Sequence, residues 1–282
     1  CVIMASLSGS AIADTAAVAA LLIPMMRKAG YNMPRASGLI ASGGIIAPII
    51  PPSIGFVMFG VVANVSITSL FLAGIVPGLL MAIALVGTWM FQARRDNMPR
   101  GERASMQERW SATLAGFWAL LLPVLIVGGL KGGYFTPTEA AVVAVFYAVF
   151  VGFVVYRELR VSQLYALLLA AGKTSAVVMF LVAAAQVTAW LIAAANIPMV
   201  VADLLQPLVG SPTLLLLVIM LLIVVVGTAL DFAPTILILA PVLMPVVRMA
   251  GIDPVYFGVL FIMNNAIGLI TPPVGTVLNT VA

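Results

Sequence analysis

Histidine is absent from this 282-residue chain, and cysteine occurs once, at Cys1. Without imidazole there is no His-ligated zinc or haem site and no histidine proton relay, and a single thiol cannot build a disulfide framework. Charge is scarce as well: Asp, Glu, Lys and Arg make up 8% of the residues, against about a quarter in soluble domains. Alternating strands of about ten residues are also missing, which argues against a membrane β-barrel. What remains, with 63% hydrophobic residues and a mean hydropathy of +1.23, reads as an all-α polytopic membrane protein.

Apolar runs at 36–59, 70–93, 113–130, 138–156 and 174–195 are each long enough for a helix to cross a bilayer. The net charge of +4 comes from basic residues gathered in short loops, a topology signal and not a nucleic-acid footprint, so no nucleic-acid partner is expected. With the loop 94–109 and its five arginines in the cytoplasm, eleven of the thirteen basic residues share one face, and Lys131 and Arg248 fall outside. Segments 158–172 and 198–210 are too short to span. They fit helices lying along the interface, or loops and extensions of neighbouring spans. The chain opens on Cys1 and both ends fall in apolar sequence, so it is expected to be part of a longer permease.

Two stretches are built alike. Gly9-Ser10-Ala11-Ile12-Ala13-Asp14 followed by Pro51-Pro52-Ser53-Ile54-Gly55 is echoed by Gly227-Thr228-Ala229-Leu230-Asp231 followed by Thr271-Pro272-Pro273-Val274-Gly275. Segments 6–26 and 212–247 each hold a glycine-rich polar break, at Ser8 to Asp14 and at Gly227 to Pro234, and predict two re-entrant helical hairpins. The proline pairs predict two broken transmembrane helices. Unpaired backbone at membrane depth is tolerated only inside protein or beside a wet cavity. Five crossings between the hairpins invert the second copy relative to the first, the arrangement of inverted-repeat transporters. Proline frees a carbonyl a turn earlier and glycine lets the chain turn, so carbonyl and hydroxyl oxygens gather where a hard cation can bind, while helix N-termini face an anionic substrate. Taken singly, Gly9 and Gly227 also fit packing glycines, Asp14 and Asp231 fit helix caps, and the proline pairs fit kinks; the joint repetition favours a site. Asn264 and Asn265 fit either substrate contact or a tie between half-helices. Thr136-Pro137-Thr138-Glu139 reads as a capping box, and Trp89, Trp110, Trp118 and Tyr134 read as interfacial anchors.

The tip Gly9 to Ala17, the segments Ile49 to Ile54 and Tyr134 to Ala141, and the segment Gly268 to Gly275 together resemble the large membrane subunit of TRAP transporters, the tripartite ATP-independent periplasmic transporters of bacteria and archaea. The resemblance runs along the whole chain. It implies an elevator-type carrier in the bacterial inner membrane, not an enzyme, importing an organic acid such as a C4-dicarboxylate or sugar acid with sodium as coupling ion and no cofactor. It also implies a periplasmic substrate-binding protein and a small four-helix membrane subunit as partners. Carried over by position, sodium ligands fall on Gly9, Ser10, Asp14, Pro51, Ser53 and Gly55, and on Gly227, Thr228, Asp231, Thr271 and Thr276. Substrate contacts fall on Ser10, Ser53, Thr228, Asn264, Asn265 and Thr276. Residues 1–60 and 212–282 form the two transport repeats, with connecting and scaffold helices at 61–211. One alternative is a sodium/dicarboxylate symporter of related elevator fold that needs no binding protein. A remote one is an intramembrane aspartyl protease using Asp14 and Asp231.

Overall fold

The computed structural model describes Met4, residues 9–96, Met98 and residues 104–281. It is all-helical, with twelve α-helices among the described residues, and divides into two compact units, residues 1–103 with 196–282 and residues 104–195. Six helices are long and apolar enough to cross a membrane: Ile67–Arg95, Met106–Lys131, Pro137–Val155, Val161–Ala194, Pro212–Ala229 and Phe232–Met249.

The first unit carries both copies of the repeated pattern. Helix α1 spans Ala11–Lys28, capped by Ser10, whose side chain accepts from the Ala13 amide. The apolar run at 36–59 is broken in two, α2 at Met33–Gly44 and α3 at Ile54–Ala63, and each half is too short to cross alone. Between them residues 45–53 are almost wholly buried, as irregular backbone must be where no water can satisfy it. Helix α4, Ile67–Arg95, packs on both halves.

The second copy follows Asn196. Helix α8, Ile197–Val209, is a separate 13-residue element packed on α9, Pro212–Ala229, and α10, Phe232–Met249. Helix α11, Pro254–Gly268, and α12, Thr276–Val281, are the halves of the second broken helix. Both proline pairs are joined by cis bonds. The first arm of the hairpin expected at 6–26 lies outside the described residues.

In the other unit, α5, Met106–Lys131, and α6, Pro137–Phe150, form a helical pair, and α6 ends in a π turn at Val151–Val155. Two tyrosine hydroxyls tie the pair, Tyr147 to the Trp118 carbonyl and Tyr156 to the Ala115 carbonyl, both at 2.7 Å. The capping box read at Thr136 to Glu139 is present. Helix α7 runs unbroken over Val161–Ala194, so the stretch at 158–172 begins a long span and is no separate interfacial helix.

The charge pattern has a structural counterpart within each unit. Arg35 pairs with Asp96, and Tyr31 stacks on Trp89 with ring centroids 6.2 Å apart, so the α1–α2 connection lies beside the end of α4 that carries Arg94 and Arg95. In the other unit the Tyr156 bond brings Arg157 and Arg160 towards the end of α5 holding Arg109, and Lys131 lies at its far end.

Candidate functional site

Each glycine-rich tip meets its own helix break. Gly9 has φ +63, and a side chain there would collide with the carbonyl oxygen of Pro52, so the first tip lies flat on the first break. At the second, Gly227 packs on Gly268 at the end of α11, where a Cβ on Gly268 would stand 2.7 Å from the Gly227 backbone. The Thr228 carbonyl there accepts from the Val274 amide at 3.2 Å. Gly275, at φ +52, turns the chain into α12.

The two copies also meet each other. Phe232, at the start of α10, fills the space that a side chain on Gly55 would need. One apolar cluster joins Ala11 beside the first tip and Ile45 of the first break to Ala266, Leu269 and Val277 around the second, with Phe232 packed against it. The second arm of each copy therefore packs on the second half-helix of the other: α10 on α3, and α1 on α12.

Within this frame the expected residues differ in what they can offer. Ser53 caps α3, accepting from the Phe56 amide at 3.1 Å and donating to the Pro48 carbonyl, which commits its proton to the break and leaves one oxygen lone pair. Thr228 and Thr271 donate to the Val225 and Ile267 carbonyls, both at 2.8 Å, leaving their oxygen lone pairs as acceptors. Asn264 donates from its amide nitrogen to the Leu260 carbonyl and the Met220 sulfur. Asn265 is fully buried: its amide nitrogen holds the Phe232 carbonyl at 3.0 Å, tying the second hairpin to α11, and its Oδ1 meets no hydrogen-bond partner among the described residues. Thr276 Oγ1, at the start of α12, is likewise buried without one.

The aspartates of the two copies are not equivalent. Ser10 is the N-cap of α1 and Asp231 the N-cap of α10, so Asp14 corresponds in the fold to Thr235, four residues beyond its cap. Asp14 is 3% exposed on the inner face of α1, whereas Asp231 is exposed. Sequence reading missed Thr15. It is fully buried, and its Oγ1 lies over Gly44, where a side chain on the glycine would collide with it. That oxygen too lacks a hydrogen-bond partner among the described residues, although Thr88, Thr113, Thr174, Thr188, Thr235 and Thr280 all bond back to the carbonyl four residues earlier. Only the spacing 11, 14, 15, 18, 19 of its helix face signalled it.

The donor set is hydroxyl, amide and backbone oxygen with one carboxylate in each copy, Asp14 and Asp231, and no cluster of three Asp, Glu, His or Cys side chains occurs among the described residues. Oxygen-only sites of low charge suit hard cations and not thiophilic metals. Each buried oxygen left unpaired carries a desolvation cost of about 1–3 kcal/mol, which a ligand hydrogen-bonding or coordinating there would offset.

A profile of the family described as "Tripartite ATP-independent periplasmic transporter, DctM component" matches residues 1–282. The chain belongs to that family. This DctM-family chain is 62% identical over 280 residues to the 2,3-diketo-L-gulonate TRAP transporter large permease protein YiaN of Escherichia coli (strain K12), covering 99% of the chain and 66% of the relative. It is 41% identical over 285 residues to the sialic acid TRAP transporter large permease protein SiaM of Vibrio cholerae, covering 99% and 67%. It is also 38% identical over 280 residues to the isethionate TRAP transporter permease protein DctMQ of Oleidesulfovibrio alaskensis, covering 98% and 44%. The chain thus spans about two thirds of the length of its large-permease relatives. Family membership and six apolar helices make it a multi-pass protein of the inner membrane. These relatives are named as permeases and not as proteases.

Proposed function

We propose that this DctM-family chain carries the transport core of a sodium-coupled importer of an organic acid. The observation that supports this most is the convergence of two interrupted helices and two glycine-rich tips on one apolar cluster, with Asn265 Oδ1 and Thr276 Oγ1 buried at the second break without a hydrogen-bond partner among the described residues. Sodium sits where each tip meets its break: Gly9, Ser10, Asp14, Pro51, Ser53 and Gly55 supply one site, and Gly227, Thr228, Asp231, Thr271 and Thr276 the other. The substrate carboxylate lies between them, against Ser10, Ser53, Thr228, Asn265 and Thr276 and the positive ends of α3 and α12. Thr15 is added to the first ion site. Helices α9 and α10 form a re-entrant hairpin whose tip stays at the depth of the second break. The two repeats, residues 1–60 and 212–282, move as one body in an elevator step, and α4 travels with them because it packs on α2, α3 and α11.

The substrate is a sugar-derived keto acid, on the similarity to the 2,3-diketo-L-gulonate permease. A periplasmic binding protein delivers it, and a small membrane subunit stands alongside, the division of labour behind a fused name such as DctMQ. The test is uptake of 2,3-diketo-L-gulonate into proteoliposomes that hold the carrier and its small subunit, with the loaded binding protein outside. Accumulation should require an inward sodium gradient and the binding protein. Sodium-driven uptake of the free acid without that protein would instead favour the binding-protein-independent symporter.

A further inference from the structure

Arg248 is, with Lys131, one of the two basic residues that the positive-inside reading of the sequence leaves off the shared face. Its guanidinium, on the last turn of α10, donates to the Ala63 carbonyl at 3.1 Å, closing the C-terminal end of α3. That end suits a partner of this kind: α3 finishes at Asn64 in the left-handed region, φ 53, where the Asn64 and Val65 amides both go to the Gly60 carbonyl and the Ala63 carbonyl takes a side-chain donor. A cation there also complements the negative end of the α3 dipole.

At the other end of the same pair, Phe232 on the first turn of α10 fills the space over Gly55 on the first turn of α3. The two helices therefore run parallel, and α10 grips α3 at both ends. Helix α10 begins at the tip of the second copy, and α3 begins at the break of the first. The pair α1 and α12 repeats the arrangement, with Ala11 clustered with Val277, and Val18 and Ala19 with Val281. At the far end of α3, however, Arg248 adds a polar lock to the apolar packing.

We propose that Arg248 is a positioning residue that fixes the half-helix α3 to α10 and so couples the first helix break to the second glycine-rich tip, making cation binding at the two places cooperative. This rests on the reading of both tips as cation sites. The half-helix α3 has only ten residues, and its N-terminal residues Ser53 to Gly55 form the site. When a cation draws the second tip inward, α10 shifts with it, and the lock at Ala63 obliges α3 to follow as a rigid rod. With the lock gone, Phe232 can slide over Gly55, and each site fills on its own. Coupling of this kind is reciprocal and typically amounts to about five- to 150-fold in affinity.

The test is thermal unfolding of the purified protein in lipid nanodiscs, titrated with sodium chloride against potassium chloride at constant ionic strength, since a ligand that binds the folded state raises its stability. The unsubstituted protein should give a sodium-specific midpoint with a Hill slope above one. Arg248→Gln, which keeps a donor and removes the charge, should raise that midpoint about fivefold, the low end of the coupling range, and bring the slope towards one. Arg248→Lys should restore most of both. Should Arg248→Ala fail to fold, the Gln and Lys pair still decides, because both retain a side-chain donor, Lys with the charge and nearly the reach of Arg, Gln uncharged and on a shorter chain. An Arg248→Gln protein with lower stability in potassium but an unchanged sodium midpoint and slope shows Arg248 to be structural only, and overturns the proposal. Absence of any sodium-specific response in the unsubstituted protein overturns the cation reading first, and the coupling with it.

Discussion

At Gly9 two demands coincide, a positive φ and a carbonyl oxygen lying where a side chain would begin. The strained backbone alone costs an alanine there of order 1–3 kcal/mol, before the Pro52 carbonyl has to move. Gly9→Ala should therefore cut sodium-driven uptake by about tenfold or more, each 1.4 kcal/mol being a factor of ten. Gly87→Ala, in open space on α4, should leave uptake intact. Thr276 poses a sharper question, because its buried Oγ1 meets no hydrogen-bond partner among the described residues. If it ligates a cation, Thr276→Val raises the sodium concentration for half-maximal uptake by about tenfold, as loss of a bond to a charged group costs about 1.5–3 kcal/mol. If it does not, valine removes an unsatisfied polar atom and the protein becomes more stable with sodium dependence unchanged.

Among the elements, much of the pattern was legible from residue types whose physics is local. Proline pairs stop helices by removing donors, and they mark the breaks after α2 and after α11 in the fold. Thr-Pro-X-Glu at a helix start is equally local, and the Thr136 box caps as read, whereas Ser10 and Ser53, read only as ligands, also turn out to cap their helices. What could not be read was long-range. The aspartates looked like one repeated position, yet helix α1 starts after Ser10 and α10 after Asp231, an offset of four residues that sequence likeness hid. Thr15 and the grip of α10 on α3 depend on contacts between elements far apart in the chain, which leave no local signal. The span beginning at Val161 was ambiguous because its polar first turns resemble an interfacial helix. Ser53→Ala tests one such element directly. It removes the cap of α3 and the donor to Pro48, and should lower the thermal unfolding temperature of the purified protein by an amount matching about 1 kcal/mol, the usual value of an N-cap.

For the molecule as a whole, irregular backbone at membrane depth has to be covered by protein or border a wet cavity. The first break is buried almost throughout, while Pro272, Pro273 and Val274 of the second are exposed. That difference makes the second break the more accessible side of the site. A cysteine in place of Val274 should therefore react with a membrane-permeant maleimide faster than one in place of Ile49, and saturating sodium should slow the Val274 reaction if a cation closes that side. The account rests on cations held between tips and breaks, and equilibrium binding of radioactive sodium to the purified protein measures this most directly. Saturable binding that unlabelled sodium displaces, that potassium does not, and that Gly9→Ala greatly reduces is the predicted result. Binding that is absent, or that survives unchanged in Gly9→Ala, would contradict it.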